Sequence, residues 1–258
     1  MNRALLLAAL AALLQGCATR FELPEPGGAE SVALRFQDSS IKVARDDRPL
    51  QADSLEAGDI ILTSAPTLRS ASIRLMTWAP VSHAAIYVGG GTVVEAVGSG
   101  VRARSVGELL EDESLALVLR FPGLDREQQR DIGEYALQKT GARFSFVGVT
   151  LHIPYSVTRR VCELPLLPAG VRDACLRSVG VLSYVAATES QLFCSQLVMQ
   201  AYQRAGAPIT NADARLISPA DILHMREGDV SSVSIARPLR YVGQLQSARP
   251  IATLAASD

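Results

Sequence analysis

The strongest constraint in this 258-residue chain is an apolar stripe that begins on a cysteine. Cys194, Leu197, Val198, Ala201, Tyr202 and Ala205 recur at i, i+3, i+4, i+7, i+8 and i+11, the spacing of one buried helix face. Gly206 and Pro208 stop the pattern. A thiol is thereby placed in the first turn of a core helix, where unpaired N–H groups and the positive dipole end favour a thiolate. The same N–H groups suit the oxyanion of an acyl intermediate. Cysteine is also a common core residue, and its place on the stripe fits that role as well.

Short β-type runs fill much of the rest. Residues 60–63, 83–88, 92–97, 101–104 and 115–121 read as strands, with a hairpin signal at Gly89-Gly90-Gly91 and a final strand expected over 233–239. Helical patterns lie between them, at 67–78 and at 125–140. Asp125 and Gln128 make a capping box for the second of these, and Gly141 closes it. Ser218-Pro219 opens a further short helix. Strands mixed with helices, in a chain that is 48% hydrophobic, predict one α+β domain over 31–258. The stretch 152–188 has no clear period, several prolines and two cysteines, and reads as an inserted lobe. A net charge of -1, with no basic run interleaved with aromatics, argues against nucleic acid as a partner.

Residues 1–16 lie outside the expected fold. Arg3, the apolar run 4–14 and Gly16 make a secretory signal, too short to span a bilayer as a helix. Its end, Leu14-Gln15-Gly16-Cys17, resembles the lipobox of bacterial lipoproteins. That resemblance implies lipid on Cys17, and Ala18 after it implies sorting to the outer membrane, facing the periplasm. An ordinary cleaved signal with an incidental cysteine is the alternative. Residues 17–30, with Pro24, Pro26 and a glycine pair, read as an extended tether.

A thiol nucleophile needs a base, and the chain has three histidines, His83, His152 and His224. His152 falls in the irregular lobe and His224 near the end of a short polar helix, where surface or loop roles are simpler. His83 opens the strand that enters the triple-glycine hairpin. On the return strand Glu95 stands charged between Val94 and Ala96, either on a solvent face or as a partner. A three-residue loop over the glycines pairs Val88 with Thr92 and Ala85 with Glu95, which makes His83 and Glu95 a diagonal pair on one face. A two-residue loop puts them on opposite faces. No Cys-x-x-Cys or His-Glu-x-x-His spacing points to a metal.

Four segments carry a family resemblance: Gly58-Asp59-Ile60-Ile61; Ser82-His83-Ala84-Ala85-Ile86-Tyr87-Val88-Gly89; Val94-Glu95-Ala96; and Phe193-Cys194-Ser195-Gln196-Leu197-Val198. The ordered set, over about residues 55–223 with the lobe interrupting it, resembles the permuted papain-like enzymes. These are circularly permuted relatives of the NlpC-type cell-wall peptidases and include lecithin retinol acyltransferase. The resemblance implies a permuted papain-like fold, with a small antiparallel sheet packed on helices and the nucleophile at a helix N-terminus. It implies Cys194 as nucleophile, His83 as base and Glu95 as the group that orients the imidazole. Gln196 and Phe193 stand where many relatives carry Glu and Tyr. The implied activity is hydrolysis of an amide, in a peptidoglycan peptide or a lipid-linked acyl group, through a thioester and without a cofactor. Lipid acyltransfer, thioester hydrolysis or a non-catalytic binding lipoprotein using the same groove are the alternatives. The expected partners are that acyl substrate and the membrane, through the anchor.

With Cys17 given to lipid and Cys194 to chemistry, Cys162 and Cys175 remain in an oxidising compartment. A disulfide between them is expected, closing a small proline-containing loop. The lobe around it, rich in leucine and valine, is expected to pack as a lid beside Cys194, a peripheral lobe or interface being the alternative.

Overall fold

The computed structural model describes residues 19–22, 33–39, 49–77, 79–144, 162, 171, 174–175, 178 and 191–246. The expected signal over 1–16, Cys17, His152 and most of the 152–188 lobe lie outside the described residues.

Six strands form an antiparallel sheet in the order β10-β7-β3-β4-β5-β6. They are β3 (Ile60–Ser64), β4 (His83–Gly89), β5 (Thr92–Val97), β6 (Gly100–Ser105), β7 (Leu115–Arg120) and β10 (Arg240–Gln244). Every residue of β3 is buried, because both sheet faces are covered and an apolar run can be satisfied on each. One face carries Ile60, Leu62, Ala84, Ile86, Val94, Leu117 and Leu119 beneath helices α3 (Arg126–Gln138) and α4 (Cys194–Arg204). The other carries Ile61, Ala85, Tyr87, Val93 and Val118 beneath Val106 and Leu109 of α2 (Val106–Asp112).

Helix ends follow the local chemistry. Ser105 with Glu108 caps α2, Asp125 with Gln128 caps α3, and Ser218 with Asp221 caps α5 (Pro219–His224), each as a reciprocal box. α4 differs, since its N-cap Phe193 offers no side-chain hydrogen bond to the first turn. Among the described residues a further helix, α1 (Leu68–Thr77), leads to His83; its buried Ser70 hydroxyl bonds the Ser82 hydroxyl at 2.7 Å.

The sheet is clasped across its middle by charge. Arg120, at the end of β7, donates Nε and Nη2 to the two oxygens of buried Asp59 at 2.7 Å each. That fork fixes the start of β3, as a bidentate guanidinium–carboxylate pair does. The preceding Gly58 has φ +95, and a Cβ there would lie 2.9 Å from Leu124 Cδ1. Its carbonyl accepts from the buried Tyr202 hydroxyl, which ties α4 to the sheet.

The last strand departs from expectation. Residues 233–239 make only isolated bridges, through Ile235 and Leu239, and the strand proper is Arg240–Gln244. Pro238 has no N–H to give a ladder, so regular pairing begins after it. Upstream, β1 (Thr19–Glu22) pairs with β2 (Ala33–Phe36), so residues 19–22 of the expected tether sit in a two-stranded ribbon. β8 (Arg143–Phe144) and β9 (Gln191–Leu192) pair in parallel immediately before α4. Cys162 and Cys175 are joined as a disulfide with Cα atoms 5.5 Å apart. Among the described residues no helix is long and apolar enough to cross a membrane.

Candidate active site

The β4–β5 hairpin sets the site. Ala85 pairs with Glu95, as expected, but not through a three-residue loop. Gly89 pairs with Thr92, so the turn is the two residues Gly90-Gly91, with φ of 59° and 74°. Positive φ at both central positions is the type I′ requirement, which glycine meets without strain. A plain two-residue loop would have turned Glu95 away from His83. Between Tyr87 and Gly89 the register slips by one residue, and this bulge at Val88 restores the alternation.

His83 and Glu95 therefore share a face, with Nε2 of the ring 2.7 Å from Glu95 Oε2. Cys194 comes to the same ring from the head of α4, where its sulfur interacts with the His83 side chain and lies beside the backbone amides of Ala84 and Ser195. Nε2 being engaged by Glu95, Nδ1 is the nitrogen left for the thiol. Cys194 is partly exposed and the His83 side chain 16% exposed, whereas Glu95 is fully buried. The first two can meet a substrate and the third cannot.

Electrostatics make the three one unit. Burial alone would raise the Cys194 thiol, but the imidazole and the two backbone amides overcome it and hold the pKa below the ordinary value of 9.0. Burial would likewise depress His83, yet the adjacent thiolate and the Glu95 carboxylate raise it from 6.5 to about 10. Glu95, also opposed by burial, is drawn down from 4.5 to about 2 by His83, Arg104 and Arg102. These shifts all favour a thiolate–imidazolium pair backed by an ionised carboxylate.

Sequence reasoning missed the two arginines. Arg102 lies directly across from Glu95 on β6, and Arg104 two residues further on the same face. Arg102 Nε is 2.9 Å from Glu95 Oε1, and Arg104 Nε 2.7 Å from that same oxygen. Their alternation around Ala103 was the available signal. It is also what a solvent-facing edge strand shows.

Other candidates are settled by position. Ser195, beside the thiol, is buried and donates its hydroxyl to the Ile217 carbonyl at 2.7 Å, pinning the helix head. Phe193 and Gln196 are both buried. His224, read as a surface or loop histidine, is buried instead, with Nδ1 2.9 Å from Asp229 Oδ2 and Arg226 beside the same carboxylate. A buried imidazole needs such a partner, and a turn brings Asp229 back to supply it. Glu113 is a further buried carboxyl facing His83 and Glu95; burial raises its pKa. Among the described residues, no three His, Cys, Asp or Glu side chains are placed to hold a metal ion.

Comparison with known proteins gives the family. The family described as "Permuted papain-like amidase enzyme, YaeF/YiiX, C92 family" matches residues 54–149, which hold His83 and Glu95. The chain is 32% identical over 243 residues to the probable lipoprotein peptidase YaeF of Escherichia coli (strain K12), covering 91% of this chain and 89% of that protein. The crystal structure of the metalloprotein yiiX from Escherichia coli O157:H7 is similar at a TM-score of 0.44 and 16% identity, over 76% of this chain and 98% of that one.

Proposed function

Because this chain belongs to the permuted papain-like amidase family, we propose that it is a lipid-anchored cysteine amidase of the cell envelope, with Cys194, His83 and Glu95 as its reacting set. The observation that carries the reading is the pairing of one imidazole with a thiol on one side and a buried carboxylate 2.7 Å away on the other. A core cysteine has no use for either partner.

The chemistry follows from the resting ion pair. Cys194 Sγ attacks the amide carbon, and the carbonyl electrons move to oxygen. First-turn N–H groups of α4, which no N-cap side chain occupies, would receive that oxyanion. As the C–N bond breaks, His83 Nδ1–H gives its proton to the leaving amine. The acyl group is left as a thioester on Cys194. Neutral His83 then takes a proton from water, whose oxygen attacks the thioester and releases the acid and the thiolate. Glu95 keeps the ring oriented through both halves.

Lipid on Cys17 accords with the naming of the YaeF relative as a probable lipoprotein peptidase and would hold the enzyme at a bilayer. Its substrate would be an acyl amide of the envelope, a peptidoglycan peptide or a lipid-linked group. Outer-membrane sorting through Ala18 belongs to the same reading. The lobe that the Cys162–Cys175 bridge braces would act as a lid over the acyl site; deleting it should then broaden selectivity among acyl groups. The deciding experiment is mass spectrometry of the protein after incubation with envelope extract. An acyl adduct on Cys194, absent from Cys194→Ala and much reduced in His83→Ala, is expected, and its mass names the acyl group. Adduct formation undiminished in Cys194→Ala would end the proposal.

A further inference from the structure

We propose that Arg102 and Arg104 are positioning residues of this site, locking Glu95 by one oxygen so that the other serves His83 alone. The inference rests on the reading of Cys194, His83 and Glu95 as the reacting set. Arg102 Nε donates a hydrogen bond to Oε1 at 2.9 Å, and Arg104 Nε lies 2.7 Å from the same oxygen as an ion pair without hydrogen-bond alignment, while Oε2 alone meets the imidazole at 2.7 Å. A carboxylate held only by His83 could rotate about its last torsion and exchange oxygens. The Arg102 hydrogen bond together with the Arg104 charge on that same oxygen opposes the exchange.

Arg104 is itself braced. Its Nη1 bonds the Glu108 carbonyl at 3.0 Å and the Asp112 carboxylate at 2.7 Å, so α2 stands behind it as a strut. The Arg104 side chain is 10% exposed, Arg102 45%. Arg104 is therefore the stronger of the two, since its charge is less screened by water.

The cations also settle ionisation. A buried carboxyl without countercharge takes up a proton, and a protonated Glu95 would no longer favour an imidazolium. The charged groups facing Glu95 are His83 on β4, Arg102 and Arg104 on β6, and Glu113 between α2 and β7, with Asp112 behind Arg104 and Cys194 beyond His83. Glu113 is the one that could mimic the effect, being a second carboxyl that titrates beside the ring.

The test is the rate of Cys194 alkylation by iodoacetamide in the purified full chain, read by mass spectrometry at pH 5 and pH 8. This readout needs no substrate. In Arg104→Gln the rate at pH 5 should fall about tenfold, the equivalent of one pKa unit, while the rate at pH 8 changes little. Arg102→Gln should show a smaller fall of the same kind, and Arg104→Lys should recover most of the loss. The same fall should persist when Arg104→Gln is combined with Glu113→Gln. An equal fall at both pH values would mark a merely structural role and overturn the proposal, as would no fall, or one that vanishes in the Glu113→Gln background. If the unsubstituted protein reacts at pH 5 no faster than free cysteine, there is no ion pair to position, and the proposed function falls together with this inference. Failure of the arginine variants alone leaves the proposed function standing.

Discussion

A carboxylate with no exposed surface cannot touch a substrate, so Glu95 can act on the reaction only through the imidazole it holds. Glu95→Gln keeps the shape but removes the charge that favours the imidazolium. It should slow acyl-enzyme formation roughly 100-fold, the lower range of what a well-placed acid–base group supplies. Glu95→Asp should do nearly as badly, since a side chain one methylene shorter cannot span from β5 to Nε2. Rates within about threefold of wild type in both, by mass spectrometry of the adduct, would remove Glu95 from the mechanism. The ion pair also fixes a pH profile. Acylation needs the thiolate, which persists below the ordinary thiol value of 9.0, and a charged His83, which is lost as pH rises through about 10. The rate should form a plateau across neutrality, with its alkaline fall set by His83. At this scale the sequence revealed residue types but not their burial. Glu95 and His83 could be paired on paper, whereas Arg102 and Arg104 looked like a wet edge and His224 like a surface histidine, because their partners come from other strands or from a turn.

The hairpin shows how an element can reach an expected arrangement by a different route. Counting from a three-residue loop put Glu95 opposite Ala85; the protein uses a two-residue turn and spends the spare residue in a bulge at Val88. Side chains alternate with period two, so a loop residue and a bulge residue are interchangeable in their effect on which face Glu95 takes. This makes deletion of Gly90 informative. Gly89 and Gly91 can then form the two-residue turn, Val88 can pair with Thr92 without a bulge, and Ala85 still meets Glu95. Cys194 alkylation at pH 5 should stay within roughly threefold of wild type, at a modest stability cost of about 1 kcal/mol. Inserting one alanine between Val94 and Glu95 should instead turn the carboxylate to the α4 side of the sheet and abolish the low-pH reactivity. Equal outcomes for the two variants would mean that register does not govern the site. Elements with strong local signals, such as the capping boxes at Asp125 and Ser218, fall where their residues put them. Bulges, and the delay of β10 past Pro238, depend on neighbouring strands that a local pattern does not see.

Over the whole molecule, the chain order of the chemistry-bearing segments was readable because each carries its own motif: a strand after Gly58-Asp59, a histidine strand, a glutamate strand and a cysteine helix. The charges joining them were not, since Asp59 and Arg120 are 61 residues apart and only the finished sheet makes them neighbours. Such buried pairs tie stability to pH with a definite sign. Glu95 is held at about 2 in the fold against 4.5 ordinarily, so its contribution is complete above pH 4.5 and is lost as pH falls through about 2. His83 is held at about 10 against 6.5, so its contribution is complete below pH 6.5 and is lost as pH rises through about 10. Both are whole only between pH 4.5 and 6.5. Removing one partner of a buried pair costs about 3 kcal/mol or more, which for a domain of this size is a melting difference on the order of 5–10 °C. Thermal unfolding of wild type and Glu95→Gln should therefore differ most between pH 4.5 and 6.5, with the gap narrowing toward pH 3 and again toward pH 10. A difference that stays flat from pH 3 to pH 10 would show that Glu95 supports the fold through shape alone, with no charge shared with His83.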